Sequence, residues 1–232
     1  MKKLDVNGDI ITDEEKWVYD FLGWPSTCPK DITDALQDAE GDSVEVTINS
    51  GGGNVIAGSE IYTKLMNYDG EVNINVIYAA SAASVISMAG KSKISPTGLF
   101  MIHNVSCTSS GDYRDMDHTS DVLKAANKAV ASAYRDKTGM TEKELLKMMD
   151  NETWLSADEA VEKGFIDEKM FSKKEPIAMY NSVSTHMINR DKLQKLKDKL
   201  QNEPKEKKEP ENKEKDILLA QLEILKLKGE TL

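Results

Sequence analysis

The sequence of 232 residues has few of the features that mark secreted, membrane-spanning or nucleic-acid-binding proteins. It contains only two cysteines, Cys28 and Cys107, which excludes a disulfide framework and favours a reducing compartment. No stretch approaches the roughly 18 apolar residues of a membrane-spanning helix, and no apolar signal segment follows the first lysines. The formal net charge of −10 argues against a basic nucleic-acid-binding face. We therefore expect a cytoplasmic protein that binds neither nucleic acid nor membrane.

The C-terminal part of the sequence lacks aromatic residues from position 189 onward. Within it, residues 201–216 (QNEPKEKKEPENKEKD) are too polar to bury the apolar surface that would offset the entropy lost on ordering. Short leucine stripes on either side have helical spacing but do not extend over the roughly three heptads of a coiled coil. We therefore predict a folded domain over residues 1–175. Residues 176–232 are predicted to be a charged linker and a short amphipathic helical tail, partly disordered.

Alternating apolar residues predict strands at VEVTIN (44–49) and VNINVI (72–77). KIS (93–95) and LFMIH (99–103) predict two further strands, separated by a turn at residues 96–98, where proline and glycine occur. Helical periodicity lies between and after these segments, at 58–68 and 115–137, and two capping boxes, TEKE and SADE, predict further helix starts at 141 and 156. Strands that alternate with helices in this way are typical of an α/β fold with parallel strands.

Residues 79–90, AASAASVISMAG, carry three serines at a spacing of three residues. Ser81 lies where a strand gives way to a helix, and the free N–H groups at a helix start stabilise negative charge that develops nearby. Ser84 and Ser87 lie further into the predicted helix, where small side chains serve packing. The position therefore favours Ser81 as a nucleophile, with Ser84 as the alternative.

A base for this serine has few candidates, because the sequence contains only three histidines. His103 follows the apolar segment LFMI, whereas His118 and His186 are expected at the surface. A histidine after a buried strand is often structural, but in combination with a helix-start serine it predicts a general base. The segment DNETWLSADEA supplies two acids that could orient it, Asp150 and Glu152.

A glycine-rich segment, INSGGGNV (48–55), follows one of the predicted strands. Glycines allow positive φ angles and expose backbone N–H groups, which are the components of an oxyanion hole. Taken alone, the segment predicts no more than a tight turn.

The segments INSGGGNVIAG, AASAASVISMAG, MIHN and ETWLSADEAVEKGFID occur in this order, and together they resemble the Clp protease proteolytic-subunit family of serine peptidases over roughly residues 8–172. The resemblance implies an α/β fold of the Clp protease and crotonase type, with stacked parallel β-strands and helices. It also implies a homo-oligomeric ring, heptameric or built of stacked rings, and neither a metal nor an organic cofactor.

The resemblance further implies roles for individual residues. Ser81 stands in the family's nucleophile position, nine residues before Gly90, and His103 stands in the position of its base. Glu152 occupies the position of the family's acid, two residues before the aromatic residue of the FLSA-like motif, with Asp150 as the alternative. The backbone N–H groups that would form the oxyanion hole are those of Gly53 and Ala82.

Several residues depart from the family's usual pattern: Gly51 replaces a proline, Ala82 and Ala83 replace Met-Gly, and NVSCTSSGD replaces a glycine-rich stretch. The AASAASVI variant of the serine motif, together with the long charged tail, resembles the branch found in bacteriophages and prophages. That branch implies an ATP-independent endopeptidase that cleaves scaffold and capsid proteins in an assembling phage head. The alternatives are a cellular-type subunit that works with an unfolding ATPase, an acyl-CoA hydratase or isomerase of the crotonase type, and a scaffold protein whose site has decayed.

Overall fold

The computed structural model describes residues 1–171. The predicted tail and the predicted domain boundary at residue 175 lie outside the described residues. In chain order the elements are β1 (Lys2–Ile10), α1 (Lys16–Leu22), β2 (Ser26–Thr27), α2 (Pro29–Gln37), β3 (Val44–Gly53), α3 (Val55–Met66), β4 (Val72–Ala80), α4 (Ala82–Ile86), a 3₁₀ turn (Ser87–Ala89), β5 (Lys91–Ile102), α5 (Tyr113–Thr138), α6 (Glu142–Asp150), β6 (Thr153–Ser156), α7 (Ala157–Glu162) and β7 (Glu168–Lys169).

The strands form one seven-stranded sheet in the order β2-β1-β3-β4-β5-β6, with β7 also paired to β5. Every pairing is parallel except that of β6 with β5, which is antiparallel. The predicted α/β fold with parallel strands is therefore confirmed. Because β3, β4 and β5 are parallel neighbours, the residues that follow their carboxyl ends meet at one edge of the sheet.

The alternation seen in the sequence places one set of side chains in the core. Val44, Val46 and Ile48 of β3 are fully buried, and the helices α3 to α6 contribute further residues to the same cluster. Three aromatic rings pack within it: the centroid of Phe165 lies 5.4 Å from that of Phe100 and 5.7 Å from that of Tyr134. Each large apolar side chain buried in this way contributes about 1.5–3 kcal/mol to stability.

One predicted turn is wrong. Residues 91–102 form the single strand β5, whose two halves pair in parallel with β4 on either side of a register shift. Ile94 pairs with Val76 and Leu99 pairs with Tyr78, so residues 95–98 bulge opposite a single residue of β4. A residue inside a strand normally donates its backbone N–H to the neighbouring strand, and Pro96 has no N–H to donate. Because Pro96 lies in the bulge, it does not have to pair with β4, and the strand continues in the same direction.

The glycine segment at 51–53, which taken alone predicts a tight turn, forms the end of β3 instead, where Gly53 pairs with Ile10. The strand β1 and the elements α1 and β2 were not predicted.

The helix predictions agree with the structure. The helix predicted at 115–137 is α5, and both predicted capping boxes are present, with Thr141 and Glu144 at the start of α6 and Ser156 and Glu159 at the start of α7. The helix after Ser81 is shorter than the sequence indicates, since it has five α-helical residues and continues as a 3₁₀ turn to Ala89. Within residues 1–171, no helix combines the length and apolar character needed to cross a bilayer.

Candidate active site

Ser81 occupies the sharp connection between β4 and α4. Its backbone has φ 55° and ψ −126°, a conformation that non-glycine residues rarely adopt. Such a conformation costs about 1–3 kcal/mol and persists only where the surroundings enforce it. Here the N–H of Ser81 donates to the carbonyl oxygen of Met101, and its carbonyl oxygen accepts from the N–H of Ser84. The connection therefore holds Ser81 at the edge of the sheet between two well-packed elements.

His103 reaches Ser81 because β4 and β5 are neighbours in register. Ala80 pairs with Met101, so the residues that follow the two strands emerge side by side. The Nε2 atom of His103 lies 2.8 Å from the Oγ atom of Ser81. When Nδ1 carries the ring proton, Nε2 accepts the hydrogen bond from the serine hydroxyl, which is the arrangement required for general-base catalysis.

Neither candidate acid contacts the histidine. Asp150 is the last residue of α6, and its Oδ1 accepts a hydrogen bond of 2.9 Å from Nδ2 of Asn104. Glu152 lies in the next turn with φ 45°, and its Oε1 accepts a hydrogen bond of 3.2 Å from the indole of Trp154. Among residues 1–171, the imidazole of His103 forms a hydrogen bond with Ser81 and none with a carboxylate.

The end of β3 packs directly against the serine. Gly52 has φ 97°, and a Cβ atom at this position would lie 2.6 Å from Cβ of Ser81 and 2.9 Å from N of Ala82. Only glycine allows this close approach of the two backbones. The neighbouring residues Gly53 and Ala82 both line the cavity that Ser81 also lines.

A cavity of about 280 Å³ opens beside these groups. Its lining combines the residues predicted for the site with apolar side chains from α3, α4, α5 and the segment after β5: Gly53, Asn54, Val55, Ile56, Ser81, Ala82, Val85, His103, Val105, Ser106, Val130 and Tyr134. The cavity therefore offers an apolar recess next to the pair formed by Ser81 and His103.

The two other serines of the motif are fully buried. The hydroxyl of Ser87 donates to the carbonyl oxygen of Ser84, and that of Ser84 lies 2.7 Å from the phenol oxygen of Tyr134. Neither lines the cavity. Tyr134 was not recognised in the sequence, because it lies 50 residues after Ser84 on a different helix and its approach depends on tertiary packing.

The remaining predictions concern the other histidines and metals. His118 is exposed on α5, as expected, and His186 lies outside the described residues. Residues 1–171 contain no cluster of three or more His, Cys, Asp or Glu side chains that could hold a metal ion. The prediction that the protein needs no metal stays a prediction.

Comparison with known proteins finds similar sequences over much of the described chain. A family model described as Clp protease matches residues 33–173. The ATP-dependent Clp protease proteolytic subunit 1 of Chlamydia abortus is 32% identical over 139 residues, covering 57% of this chain and 72% of that protein. The ATP-dependent Clp protease proteolytic subunit of Bacteroides fragilis is 31% identical over 137 residues, 57% of this chain and 66% of its own length. Subunit 2 from Gluconobacter oxydans is 26% identical over 171 residues, 70% of this chain and 77% of that protein.

Proposed function

Because this chain belongs to the Clp protease family, we propose that it is a serine endopeptidase that uses Ser81 as nucleophile and His103 as general base. The observation that carries the proposal is the distance of 2.8 Å between Oγ of Ser81 and Nε2 of His103, at the mouth of a cavity. The site offers an activated hydroxyl, a proton acceptor and a recess for a substrate side chain, which are the parts that peptide hydrolysis requires.

In the proposed mechanism, His103 takes the proton from the hydroxyl of Ser81 as Oγ attacks the carbonyl carbon of the scissile peptide bond. The tetrahedral intermediate collapses when His103 gives that proton to the leaving amine, and an acyl-enzyme remains. Water then attacks the ester, again with His103 as base, and releases the second product. The strained backbone of Ser81 keeps the hydroxyl outside the regular hydrogen bonding of β4 and α4.

The negative charge of the tetrahedral intermediate would be stabilised by the N–H groups of Gly53 and Ala82. Both residues line the cavity beside Ser81, and the backbone of Gly52, next to Gly53, packs closely against Ser81 and the N atom of Ala82. Removal of a single donor of this kind in another serine protease costs about 2.7–4 kcal/mol. Because α4 has only five residues, we attribute the stabilisation to these two aimed N–H groups rather than to a long helix dipole.

The proposed acid is Glu152, with Asp150 as the alternative. Glu152 occupies the position at which the family carries its acid and lies in the turn between α6 and β6, whereas Asp150 is the last residue of α6. To form the triad, Glu152 must give up its hydrogen bond with the indole of Trp154 and accept one from Nδ1 of His103 instead. The register of β5 and β6 supports this exchange, because Ile102 pairs with Thr153, and His103 and Glu152 are the next residues at the same end of the antiparallel pair.

For the substrate and the assembly, we propose a homo-oligomeric ring that cleaves scaffold and capsid proteins during phage head maturation without an ATPase. The support is sequence resemblance: the AASAASVI variant of the serine motif and the long charged tail resemble that branch. The alternative is a cellular-type subunit that works with an unfolding ATPase, which is what the names of the Chlamydia abortus and Bacteroides fragilis proteins state of those proteins. A decayed scaffold protein is the third possibility, and the intact pair Ser81–His103 argues against it.

The nucleophile is tested by labelling the purified full-length chain with a fluorophosphonate and by measuring cleavage of unfolded casein without nucleotide. We expect both signals in the natural protein and neither in Ser81→Ala, whereas Ser87→Ala, which changes a buried serine of the same motif, keeps both. Labelling that survives in Ser81→Ala but is lost in Ser84→Ala would move the nucleophile to Ser84 and overturn the assignment.

The substrate class is tested by inspecting the neighbouring genes for capsid and scaffold proteins and by co-expressing this chain with those that are found. We expect both proteins to be shortened by the natural chain and to stay intact with Ser81→Ala. If casein is cleaved only when an unfolding ATPase and ATP are added, and no neighbouring gene encodes a capsid protein, the cellular-type alternative holds instead.

A further inference from the structure

A pair of buried hydroxyls lies directly behind the proposed nucleophile. The side chain of Ser84 is fully buried, and Tyr134 is 1% exposed. The Oγ atom of Ser84 lies 2.6 Å from the carbonyl oxygen of Ser81 and 2.7 Å from the hydroxyl oxygen of Tyr134. The three groups therefore form a continuous chain of short hydrogen bonds from α5 to the backbone of Ser81.

The carbonyl oxygen of Ser81, at the end of these hydrogen bonds, determines which group donates in each of them. The carbonyl oxygen of Ser81 can only accept, so the single proton of the Ser84 hydroxyl is donated to it. Tyr134 must then donate its own proton to Oγ of Ser84. Burial raises the pKa of Tyr134 above its ordinary value, so the phenol remains protonated and remains a donor across the neutral range. Each donor in such a chain polarises the next, which strengthens the bond to the Ser81 carbonyl.

The orientation of the Ser81 carbonyl group determines the direction in which the N–H of Ala82 points. The C=O of Ser81 and the N–H of Ala82 belong to one planar trans peptide unit and point in opposite directions. When Ser84 and Tyr134 hold the oxygen toward the interior, the N–H of Ala82 faces the opposite side, where Ala82 lines the cavity beside Ser81. The peptide cannot rotate to turn this N–H away from the cavity without breaking the hydrogen bond from Ser84.

We propose that Ser84 and Tyr134 are positioning residues that aim the N–H of Ala82 at the oxyanion by holding the Ser81–Ala82 peptide plane. The inference rests on the proposed function, because it assigns a role within that same site. Ser84 does not line the cavity, and although Tyr134 does, Tyr134→Phe keeps its ring and removes only the hydroxyl that bonds to Ser84. The proposed effect of both hydroxyls therefore passes through the Ser81–Ala82 peptide.

A purely structural role does not account for this arrangement. Buried hydroxyl groups gain only about 0.5–1.5 kcal/mol of net stability from a hydrogen bond, and an apolar pair of the same size would fill the space as well. Ser87 provides the comparison, since it is equally buried but its hydroxyl donates to the carbonyl of Ser84 rather than to that of Ser81. The backbone of Ser81 has the unusual φ of 55°, and its carbonyl oxygen accepts hydrogen bonds from both the N–H and the hydroxyl of Ser84.

The test uses Tyr134→Phe, which removes only the hydroxyl, and Ser84→Ala, with Ser87→Ala as the matched control. The measurements are kcat and KM for one peptide substrate, with active sites counted by fluorophosphonate labelling, and the inhibition constant of a peptidyl aldehyde. The aldehyde forms a hemiacetal on the serine whose oxygen occupies the oxyanion position. Thermal unfolding of every variant separates loss of folding from loss of alignment.

In both variants we expect kcat to fall about ten- to a hundred-fold, with KM changed less than about two-fold. We expect the affinity for the aldehyde to fall by the same factor as kcat/KM. We also expect the double variant to be no worse than the poorer single one, because both changes break the same chain of bonds. Ser87→Ala should match the natural protein in kcat and in aldehyde affinity. If one variant fails to fold, the other carries the same test.

The inference is overturned if Tyr134→Phe and Ser84→Ala lower only the unfolding temperature while kcat per labelled site and aldehyde affinity stay unchanged. It is equally overturned if Ser87→Ala loses as much kcat as they do. These results leave the proposed function standing, since the natural protein would still be labelled and would still cleave. Failure of the natural protein to be labelled at all would instead count against the proposed function.

Discussion

The Oγ atom of Ser81 lies 2.8 Å from Nε2 of His103, although 22 residues separate them in the chain. The contact exists because β4 and β5 are parallel neighbours whose last paired residues are Ala80 and Met101. It needs no rearrangement of the backbone, so the serine and its base are in place in the isolated chain. The acid has no such contact with the histidine, and the first prediction concerns it.

Glu152→Gln should lower kcat by about a thousand-fold or more, because the amide cannot stabilise the imidazolium that forms on His103. Asp150→Asn should stay within a few-fold of the natural protein. The hydrogen bond from Asn104 can persist in Asp150→Asn, and loss of a negative charge at the C-terminal end of α6 does not disfavour the helix. Measurement of kcat for one peptide substrate with both variants distinguishes Glu152 from Asp150 as the acid. The reverse ranking would make Asp150 the acid.

Gly52→Ala should abolish cleavage, and it should also destabilise the fold. The added methyl group would lie 2.6 Å from Cβ of Ser81 and 2.7 Å from the carbonyl oxygen of Ala80, at a backbone φ of 97°. Either β3 or the nucleophile must move, and a displacement of about 1 Å at a catalytic group can cost a hundred-fold in rate.

Gly51→Ala is the matched control for this change. Its Cβ would meet nothing closer than the ring of Tyr78 at 3.7 Å, which is an ordinary contact. We expect it to retain the activity and the unfolding temperature of the natural protein. Equal activity in Gly51→Ala and Gly52→Ala would contradict the close packing of β3 against Ser81.

The cavity beside Ser81 should select the residue on the carbonyl side of the scissile bond. Val85, Val105 and Val130 line it, so a leucine in the substrate should be accepted and an aspartate rejected. Val130→Phe narrows the recess and should lower kcat/KM for leucine relative to alanine by about ten-fold or more.

Val122→Phe makes the same change on the same helix at a position that is 53% exposed. It should leave the ratio of leucine to alanine cleavage unchanged. A ratio that shifts equally in Val122→Phe and Val130→Phe would show that the cavity does not hold this side chain.

Asp167 should make the stability of the fold depend on pH below neutrality. Burial acts to raise its pKa, but the hydrogen bonds from Lys137 and from the backbone N–H of Ser92 outweigh it and lower the pKa below the ordinary value of 3.8. A carboxyl group with a lowered pKa stabilises the folded state fully above its unfolded pKa, and this contribution is lost as pH falls through the folded pKa.

Asp167→Asn should therefore lower the free energy of unfolding by about 1 kcal/mol near pH 7, and the difference should shrink below about pH 4. Urea unfolding at pH 7 and at several pH values below about pH 4 measures it. Asp121→Asn, which removes an exposed ion pair with Lys124, should change little at any pH. A difference for Asp167→Asn that persists unchanged in acid would indicate that its charge is not the cause.

Local signals were sufficient for the elements with strong patterns. The alternation in β3 and β4 and the capping boxes at Thr141 and Ser156 depend on neighbours within a few residues, and the structure contains all of them. The turn at 96–98 was predicted wrongly because proline and glycine are normally read as a chain reversal. Whether such residues reverse the chain or bulge out of a strand depends on the adjacent strand, which here is β4.

The sequence by itself determined the alternating α/β order and the candidates Ser81 and His103, because side-chain periodicity and motif order are properties of the chain alone. Only the tertiary structure decided that these two side chains meet, that Gly52 must approach Ser81 so closely, and that Tyr134 bonds to Ser84 behind the nucleophile. Each of these contacts joins residues from different elements. Their distances follow from sheet register and helix packing, and these depend on burial across the whole domain rather than on any local run of residues.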